Sequence, residues 1–210
     1  MPRQNRVTPY GELAAVPDRG MFWGNRGQLL DARGQLARFS RGRLWLICVL
    51  AFKGRRRTQW QPGRLTELYF LDEATGLAAG HRPCGECRRD RYQAFKRAWG
   101  TVWPGEPPSA AAMDVRLHAD RLAGPGARRT YRAPLAGLPD GAMAELDGRP
   151  WLVLGSGLLA WSHGGYTERR DRPGGGEVTV LTPRASVAVL AAGYRPALHP
   201  TAEAHLADRP

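Results

Sequence analysis

Two cysteines separated by two residues, Cys84 and Cys87, have the clearest chemical signature in the 210-residue chain. A Cys-x-x-Cys pair supplies two thiolates to a zinc ion, which usually takes four ligands. The third cysteine, Cys48, lies in an apolar run upstream, and His81 lies just before Cys84. Zinc accepts three thiolates and one imidazole as readily as four thiolates. The sequence therefore predicts a structural zinc site formed by Cys48, His81, Cys84 and Cys87.

The sequence leaves the fourth ligand open. His81 and Cys84 are adjacent around a turn, so another imidazole could reach the ion instead. Three later histidines are candidates for that position: His118, His163 and His199. Cys48 has its own alternative, because a free cysteine in an apolar run is often simply a small buried hydrophobe.

The segment Pro83–Cys87 also has the Pro-Cys-x-x-Cys form found in nucleobase deaminases. Those enzymes need a zinc-binding histidine upstream, followed two residues later by a glutamate. No histidine precedes His81, and the stretch His118-Ala119-Asp120 is downstream and ends in aspartate. A deaminase would require a permuted order of motifs, so we do not favour one.

The elements around the cysteines can be read from their apolar patterns. Leu44–Phe52 and Leu65–Leu71 are predicted strands. Asp72 is a suitable N-cap for a short helix, and Gly80 falls where a left-handed residue ends it. Cys87–Trp99 is predicted to form the next helix, with an aromatic face. The cysteine pair would then lie in the turn between two helices.

One heptapeptide recurs in the chain. The sequence LAAGHRP at residues 77–83 returns as LAAGYRP at residues 190–196. We interpret the repeat as two helices that use the same glycine cap followed by proline, rather than as a duplication.

The run ELYFLDEATGLAAGHRPCGECRRDRY, residues 67–92, resembles the second half of the Ada-type zinc domain. That domain occurs in methyl-phosphotriester DNA repair proteins and is appended to several nucleases. Its pattern is an aromatic strand, a short helix ending Ala-Ala-Gly-aromatic-Arg-Pro, and then Cys-x-x-Cys. The positions that match are Tyr69-Phe70, Ala78-Ala79-Gly80, Arg82-Pro83, Cys84 and Cys87. The resemblance covers about residues 44–99 and implies a zinc-binding, DNA-binding module.

The chain departs from this family upstream. The family carries two further cysteines spaced Cys-x-x-x-Cys, whereas this chain has Cys48 and then Phe52 in the partner's place. His81 replaces the usual aromatic residue. In the repair proteins one upstream zinc-bound cysteine takes a methyl group from a DNA phosphotriester, and Cys48 is the candidate for that role here. Its apolar neighbours argue against an exposed methyl acceptor.

The distribution of charge points to a polyanionic partner. The formal net charge is +12. Residues 1–104 carry 19 Lys and Arg against 8 Asp and Glu, whereas residues 105–210 carry 12 against 11. A basic half of this kind favours nucleic acid, and we expect DNA before RNA, although a merely solvated basic face is the alternative. Nothing in the composition indicates an organic cofactor.

Compartment and membrane contact follow from composition. Three cysteines, two of them as Cys-x-x-Cys, argue against a disulfide framework and for the reducing cytoplasm. No apolar run reaches the length of a membrane span, and the N-terminal segment lacks the apolar stretch of a secretory signal.

Arginines and one tryptophan near the cysteines are the candidate nucleic-acid contacts. Arginine binds phosphate, and an aromatic ring can stack on an unpaired base. This combination favours single strands, ends or distorted duplex over the reading of base edges. The candidates are Arg55, Arg56, Arg57, Trp60, Arg82, Arg88, Arg89 and Arg91.

Catalysis, if zinc is structural, must be carried by other residues. Asp114 and His118 are one helical turn apart, and Asp120 is close by. Carboxylates and an imidazole suit Mg²⁺ or Mn²⁺ that activates water against a phosphodiester. The alternative is a solvated helix face with Asp114 near an N-cap. Ser162-His163 is a second, weaker candidate, because neighbours on a chain rarely point at each other.

The sequence predicts an α+β fold in two regions. The Pro- and Gly-rich segment near residues 100–112 separates a basic zinc-binding region, 1–104, from a β-rich region, 105–210, although one continuous domain is also compatible. A hairpin is expected around Asp147-Gly148 and a C-terminal helix ending at Gly193. Residues from Thr201 onward are expected to be a loose tail.

These observations favour a zinc-containing DNA-binding protein of DNA repair or processing. The most specific expectation is a metal-dependent nuclease on single-stranded or structured DNA. A non-catalytic nucleic-acid-binding module and a methyl acceptor through Cys48 are the alternatives. Whether the chain is an enzyme is left open.

Overall fold

The computed structural model describes residues 1–54, 58–105 and 108–207, and it confirms the predicted α+β class. Sheets lie in both halves of the chain, and the cysteine cluster lies in the N-terminal half. The predicted phosphate contacts Arg55, Arg56 and Arg57 lie outside the described residues.

The N-terminal sheet has six short strands in mixed orientation. They are β1 (Arg6–Val7), β2 (Leu13–Ala14), β3 (Phe22–Asn25), β4 (Leu46–Cys48), β5 (Leu68–Phe70) and β6 (Arg82–Pro83). Their spatial order is β2-β1-β5-β3-β4-β6. The pairs β1–β5 and β4–β6 are parallel and the other pairs are antiparallel. The predicted strand Leu44–Phe52 is correctly placed but too long, since its end turns away at Lys53 and Gly54, both with positive φ.

The C-terminal half forms a second sheet of six strands, all antiparallel. A small hairpin of β7 (Leu122–Gly124) and β8 (Ala127–Arg128) precedes it. The sheet consists of β9 (Tyr131–Pro134), β10 (Met143–Leu146), β11 (Arg149–Leu154), β12 (Gly157–Ser162), β13 (Gly165–Asp171) and β14 (Glu177–Val180). Its spatial order is β13-β12-β11-β10-β14-β9. The predicted hairpin joins β10 to β11, with Asp147 and Gly148 both at positive φ as a two-residue turn requires.

Five α-helices lie within the described residues. They are α1 (Glu73–Ala78), α2 (Arg89–Val102), α3 (Ala110–Arg121), α4 (Arg184–Ala191) and α5 (Pro200–Ala207). The expectation of a loose tail from Thr201 is wrong, because α5 begins at Pro200 and Ala202 is fully buried. Thr201 Oγ1 accepts the Tyr166 N–H at 2.8 Å, which ties α5 to β13. In the described part of the chain, no helix is both long and apolar enough to cross a membrane.

The repeated heptapeptide does share its capping chemistry. Gly80 and Gly193 have φ of +89° and +97°. The next residue closes the helix in both copies, with His81 N–H donating to the Gly76 carbonyl at 2.9 Å and Tyr194 N–H donating to the Val189 carbonyl at 3.2 Å. This six-to-one hydrogen bond defines the Schellman motif.

Helix α1 joins the two halves through its N-terminus. Asp72 caps it as predicted, with Oδ1 accepting the Thr75 N–H at 2.8 Å. Asp72 Oδ2 accepts the Tyr166 hydroxyl at 2.7 Å, and Thr75 Oγ1 accepts the Trp161 indole N–H at 3.0 Å. One hydrophobic cluster likewise draws on both regions, from Val7 to Tyr194. The boundary near residues 100–112 stays a prediction.

The next residue, Glu73, is a fully buried carboxylate with four partners. Arg88 donates to it through two nitrogens, each at 3.0 Å, and Arg91 donates at 3.2 Å. The Tyr194 hydroxyl and the Ala197 N–H, both from the C-terminal segment, also donate to it. Such a buried charge is tolerated because its lone pairs are satisfied.

Removing this charge should destabilise the protein strongly. Glu73→Gln leaves the buried Arg88 guanidinium without its counter-ion, so the free energy of unfolding in urea should fall by about 3 kcal/mol or more. The matched control is Glu168→Gln, which breaks the exposed pair with Arg149 at 2.9 Å. That loss should stay below about 1 kcal/mol. Equal losses in the two variants would contradict a central role for Glu73.

Candidate metal centre and basic cavities

The three cysteines meet at the end of the N-terminal sheet. Cys48 is the last residue of β4, and β6 pairs parallel to β4, which places Cys84 beside it. The Cys84 N–H donates to the Ile47 carbonyl at 2.9 Å. Cys87 lies in the turn before α2. The sulfur atoms of all three lie within 4.8 Å of one another, so the structure brings Cys48 to the Cys-x-x-Cys pair, and the three could hold a metal ion.

This arrangement fits a metal ion. Tetrahedral zinc with Zn–S bonds of about 2.3 Å brings its thiolates to about 3.8 Å apart, within the observed limit. The hydrogen bond with Cys48 lowers the pKa of Cys84 to about 5, and the Glu86 N–H, 3.4 Å from the sulfur, acts in the same direction. Cys84 is thus readily a thiolate, the form that binds metal. Three thiolates suit a soft or borderline cation.

A small cavity of about 140 Å³ borders the cysteines. Its lining includes Glu67, Tyr69 and Glu86 in addition to all three cysteines. Glu67 Oε2 accepts the Trp60 N–H at 2.9 Å, so that carboxylate already has a partner. The cysteines therefore face a polar cavity on one side, where a fourth ligand would enter.

The structure does not bring His81 to the cysteine cluster. Its ring is fully buried between Trp45 and Phe70, with centroids 5.1 Å and 4.7 Å away. Burial, together with the nearby guanidinium groups of Arg26 and Arg121, lowers the pKa of His81 well below its usual value. His81 is thus a neutral aromatic core residue, close in role to the aromatic residue it replaces.

The other histidines also lie apart from the cluster among the described residues. His118 Nδ1 lies 3.1 Å from Arg121 Nη2, and His199 Nδ1 lies 2.9 Å from Thr201 Oγ1. His163 packs edge-on against Trp161, with ring centroids 4.8 Å apart. The fourth ligand stays open.

The three predicted catalytic residues do not converge on one ion. Asp114 forms a buried two-point pair with Arg82, at 2.8 Å and 2.7 Å. Asp120 Oδ2 accepts the Ala185 N–H at 2.8 Å and so caps the N-terminus of α4. His118 turns toward Arg121 instead. Each side chain therefore has a structural partner of its own, and none belongs to a cluster of metal-ligating groups among the described residues.

The predicted nucleic-acid contacts divide into interior and surface residues. Arg82 and Arg88 are only 2% and 6% exposed and are held by Asp114 and Glu73, so neither lies on a phosphate-binding surface. Arg91 is half-buried against Glu73, and Arg89 is exposed. Trp60 is half-buried, with its indole N–H donating to the Gly34 carbonyl at 2.9 Å.

Two adjoining cavities on another part of the molecule were missed by the sequence prediction. The first has a volume of about 690 Å³ and the second about 920 Å³, and Arg38, Phe39 and Gly126 line both. We call them together the arginine groove, after the five arginines that line it: Arg26, Arg38, Arg43, Arg128 and Arg129. The groove combines the segment around residues 36–43 with the β7–β8 hairpin. The sequence pattern that could have indicated this groove is the Gly- and Arg-rich run DARGQLARFSRGR, residues 31–43.

Comparison with known protein families, curated proteins and solved structures finds no match for this chain. The resemblance to the Ada-type zinc domain therefore stays a prediction.

The metal centre can be tested by metal content. Cys48→Ala, Cys84→Ala and Cys87→Ala should each lose the bound metal ion, because two thiolates seldom hold one alone. His81→Phe should keep one ion per chain, because phenylalanine preserves the contacts with Trp45 and Phe70. Native mass spectrometry and elemental analysis measure the number of metal ions per chain in all four variants. Metal loss in a folded His81→Phe protein would instead restore the ligand set predicted from sequence.

Proposed function

We propose that the chain is a zinc-stabilised nucleic-acid-binding protein that contacts single strands and strand ends of DNA through the arginine groove. The observation that carries the proposal is the groove's composition. Among the described residues that line it, five are arginines and one, Glu12, is a carboxylate. Cationic concave surfaces raise the local concentration of polyanions and bind phosphate by releasing counter-ions.

The dimensions and lining of the groove support a single strand over a duplex. Its two cavities are the size of small-ligand sites, each below about 1,000 Å³. Phe39 lines both cavities, and Tyr10 lines the first, so aromatic rings are available beside the cations. Guanidinium groups for the backbone and aromatic rings for the bases are the elements of single-strand binding.

In this proposal zinc has a structural role. The cysteines tie the end of β4 to β6 and to the turn before α2, a region with short strands. The cavity beside them shares no lining residue with the arginine groove among the described residues. Free thiols of this kind persist in the reducing cytoplasm, where we expect the protein to work.

The two reactive alternatives receive less support. A nuclease would need metal-binding carboxylates, yet Asp114 and Asp120 are engaged by Arg82 and the α4 N-terminus. A methyl acceptor would need an accessible thiolate, yet Cys48 is only 5% exposed. We therefore place nucleic-acid binding before catalysis.

The test compares two triple variants in DNA binding. Arg38→Gln, Arg43→Gln and Arg129→Gln together remove three exposed cations of the groove. The control removes three exposed cations that line neither of its cavities: Arg64→Gln, Arg89→Gln and Arg97→Gln. The groove variant should weaken single-strand binding and lower the slope of log K against log salt by about 2, at about 0.7 per lost phosphate contact on a single strand, while the control changes little.

The same titrations with Mg²⁺ or Mn²⁺ report turnover. Binding without cleavage supports the proposal, whereas metal-dependent cleavage would favour the nuclease prediction over it. Equal salt slopes in the two triple variants would show that the arginine groove is not the binding surface.

A further inference from the structure

We propose that the first cavity of the arginine groove binds the phosphate monoester group of a nucleotide. In a DNA strand this group is the phosphorylated end. We call this cavity the phosphate pocket, and its floor is formed by Arg26 and Arg128. The strand form rests on the proposed function, whereas binding of a free nucleotide would stand without it.

Arg26 is a buried cation that forms no ion pair with any carboxylate among the described residues. It is 1% exposed, and its Nη1 donates to a carbonyl, Gly11 O, at 2.8 Å. Its Nε has no hydrogen-bond partner in the described structure. Buried charges are costly unless they are paired, and a cation that faces a cavity can be paired by a bound anion.

Arg128 lies on the same floor and is half-buried. Its guanidinium donates to backbone carbonyls, including Ala78 O and Leu181 O, while its Nε is without a partner in the described structure. Burial lowers the pKa of Arg128 to about 10, and burial together with Arg128 lowers the pKa of Arg26 to about 9. Both remain charged at neutral pH, and neither forms an ion pair with a carboxylate among the described residues.

A purely structural role accounts for part of this arrangement. Arg128 satisfies a carbonyl at the C-terminus of α1, where cations are favourable. Arg121 does the same through Gly80 O at 2.9 Å and also has an unpartnered Nε, but it does not line the phosphate pocket. What sets Arg26 and Arg128 apart is therefore the open space above them, together with Arg38 at the same cavity.

A glycine lets the chain pack closely against two of the side chains that line the pocket, Arg128 and Phe39. Gly11 has φ of +82°, and a Cβ at this position would lie 3.1 Å from Arg128 Cδ and 3.6 Å from the Phe39 ring. The Phe39 ring in turn lies 3.9 Å from the Arg26 guanidinium carbon, a cation–π contact that fixes the ring. The volume of about 690 Å³ suits a nucleotide.

Glu12 also lines the phosphate pocket and is exposed. A carboxylate repels a phosphate but accepts hydrogen bonds from the amino groups of a base, as Asp and Glu do from the cytosine amino group. A nucleotide presents both groups, whereas inorganic phosphate presents one. The presence of Glu12 beside Arg26 and Arg128 therefore favours a nucleotide over a bare anion.

The experiment measures binding of the full chain to one single-stranded DNA sequence in three forms: 5′-phosphorylated, 3′-phosphorylated and unphosphorylated. A nucleoside 5′-monophosphate serves as competitor and as ligand in a thermal shift. We expect a phosphorylated form to bind about tenfold tighter, as one charge-assisted contact provides, and the monophosphate to remove that advantage.

The outcomes separate this inference from the proposed function. If all three strands bind equally and the monophosphate neither competes nor raises the Tm, the phosphate pocket is refuted while nucleic-acid binding stands. If the monophosphate binds and no strand does, the pocket stands as a nucleotide site and the proposed function fails. If nothing binds, both fail.

Variants locate the effect. Arg26→Gln should abolish the preference for a phosphate, and its folding is checked by thermal unfolding. Ala37→Phe fills the phosphate pocket from an exposed position without removing a charge, so it tests the pocket even if Arg26→Gln does not fold. Its control, Ala119→Phe, fills the neighbouring cavity and should keep the preference. Retention of the preference in folded Ala37→Phe protein would overturn the proposal.

Discussion

The six-residue helix α1 is buried along its whole length, and much of the structure serves to satisfy its two ends. Helix ends leave unpaired N–H and C=O groups, which are costly in an interior. Asp72 meets this need at the N-terminus, while Arg121 and Arg128 donate to carbonyls at the C-terminus. Glycine is favoured at position 80 for two reasons: its φ is positive, and a Cβ would lie 2.8 Å from Arg128 Nη1.

Other internal arginines pair buried groups elsewhere in the structure. Arg82 and Arg88 neutralise buried carboxylates, and Arg26 is enclosed by Phe39 and Trp45. Guanidinium groups suit such positions because they stay charged, stack on rings and donate in several directions. The excess of positive charge counted in the N-terminal half therefore includes two cations, Arg82 and Arg88, that are paired with buried carboxylates and are unavailable to a ligand. The groove, rather than the charge total, is what supports a nucleic-acid partner.

Local chemistry was predictable from the sequence, whereas long-range pairing was not. The Asp72 cap, the Gly80 and Gly193 ends and the Asp147-Gly148 turn each depend on a few neighbouring residues, and all were predicted. The prediction that Cys48 lies with the other two cysteines followed from the preference of zinc for several thiolate ligands. By contrast, the ion pair between Arg82 and Asp114 joins residues 32 positions apart, and no periodic pattern in the sequence indicates it. Helix α5 was missed because its burial depends on β13 rather than on its own sequence.

Amide hydrogen exchange with and without single-stranded DNA tests the central claim most directly. The account predicts slower exchange on DNA binding in residues 36–43 and 123–130, the two segments that form the arginine groove, with little change in α2. Protection confined to the start of α2, near the exposed Arg89, or no protection in either groove segment, would contradict it.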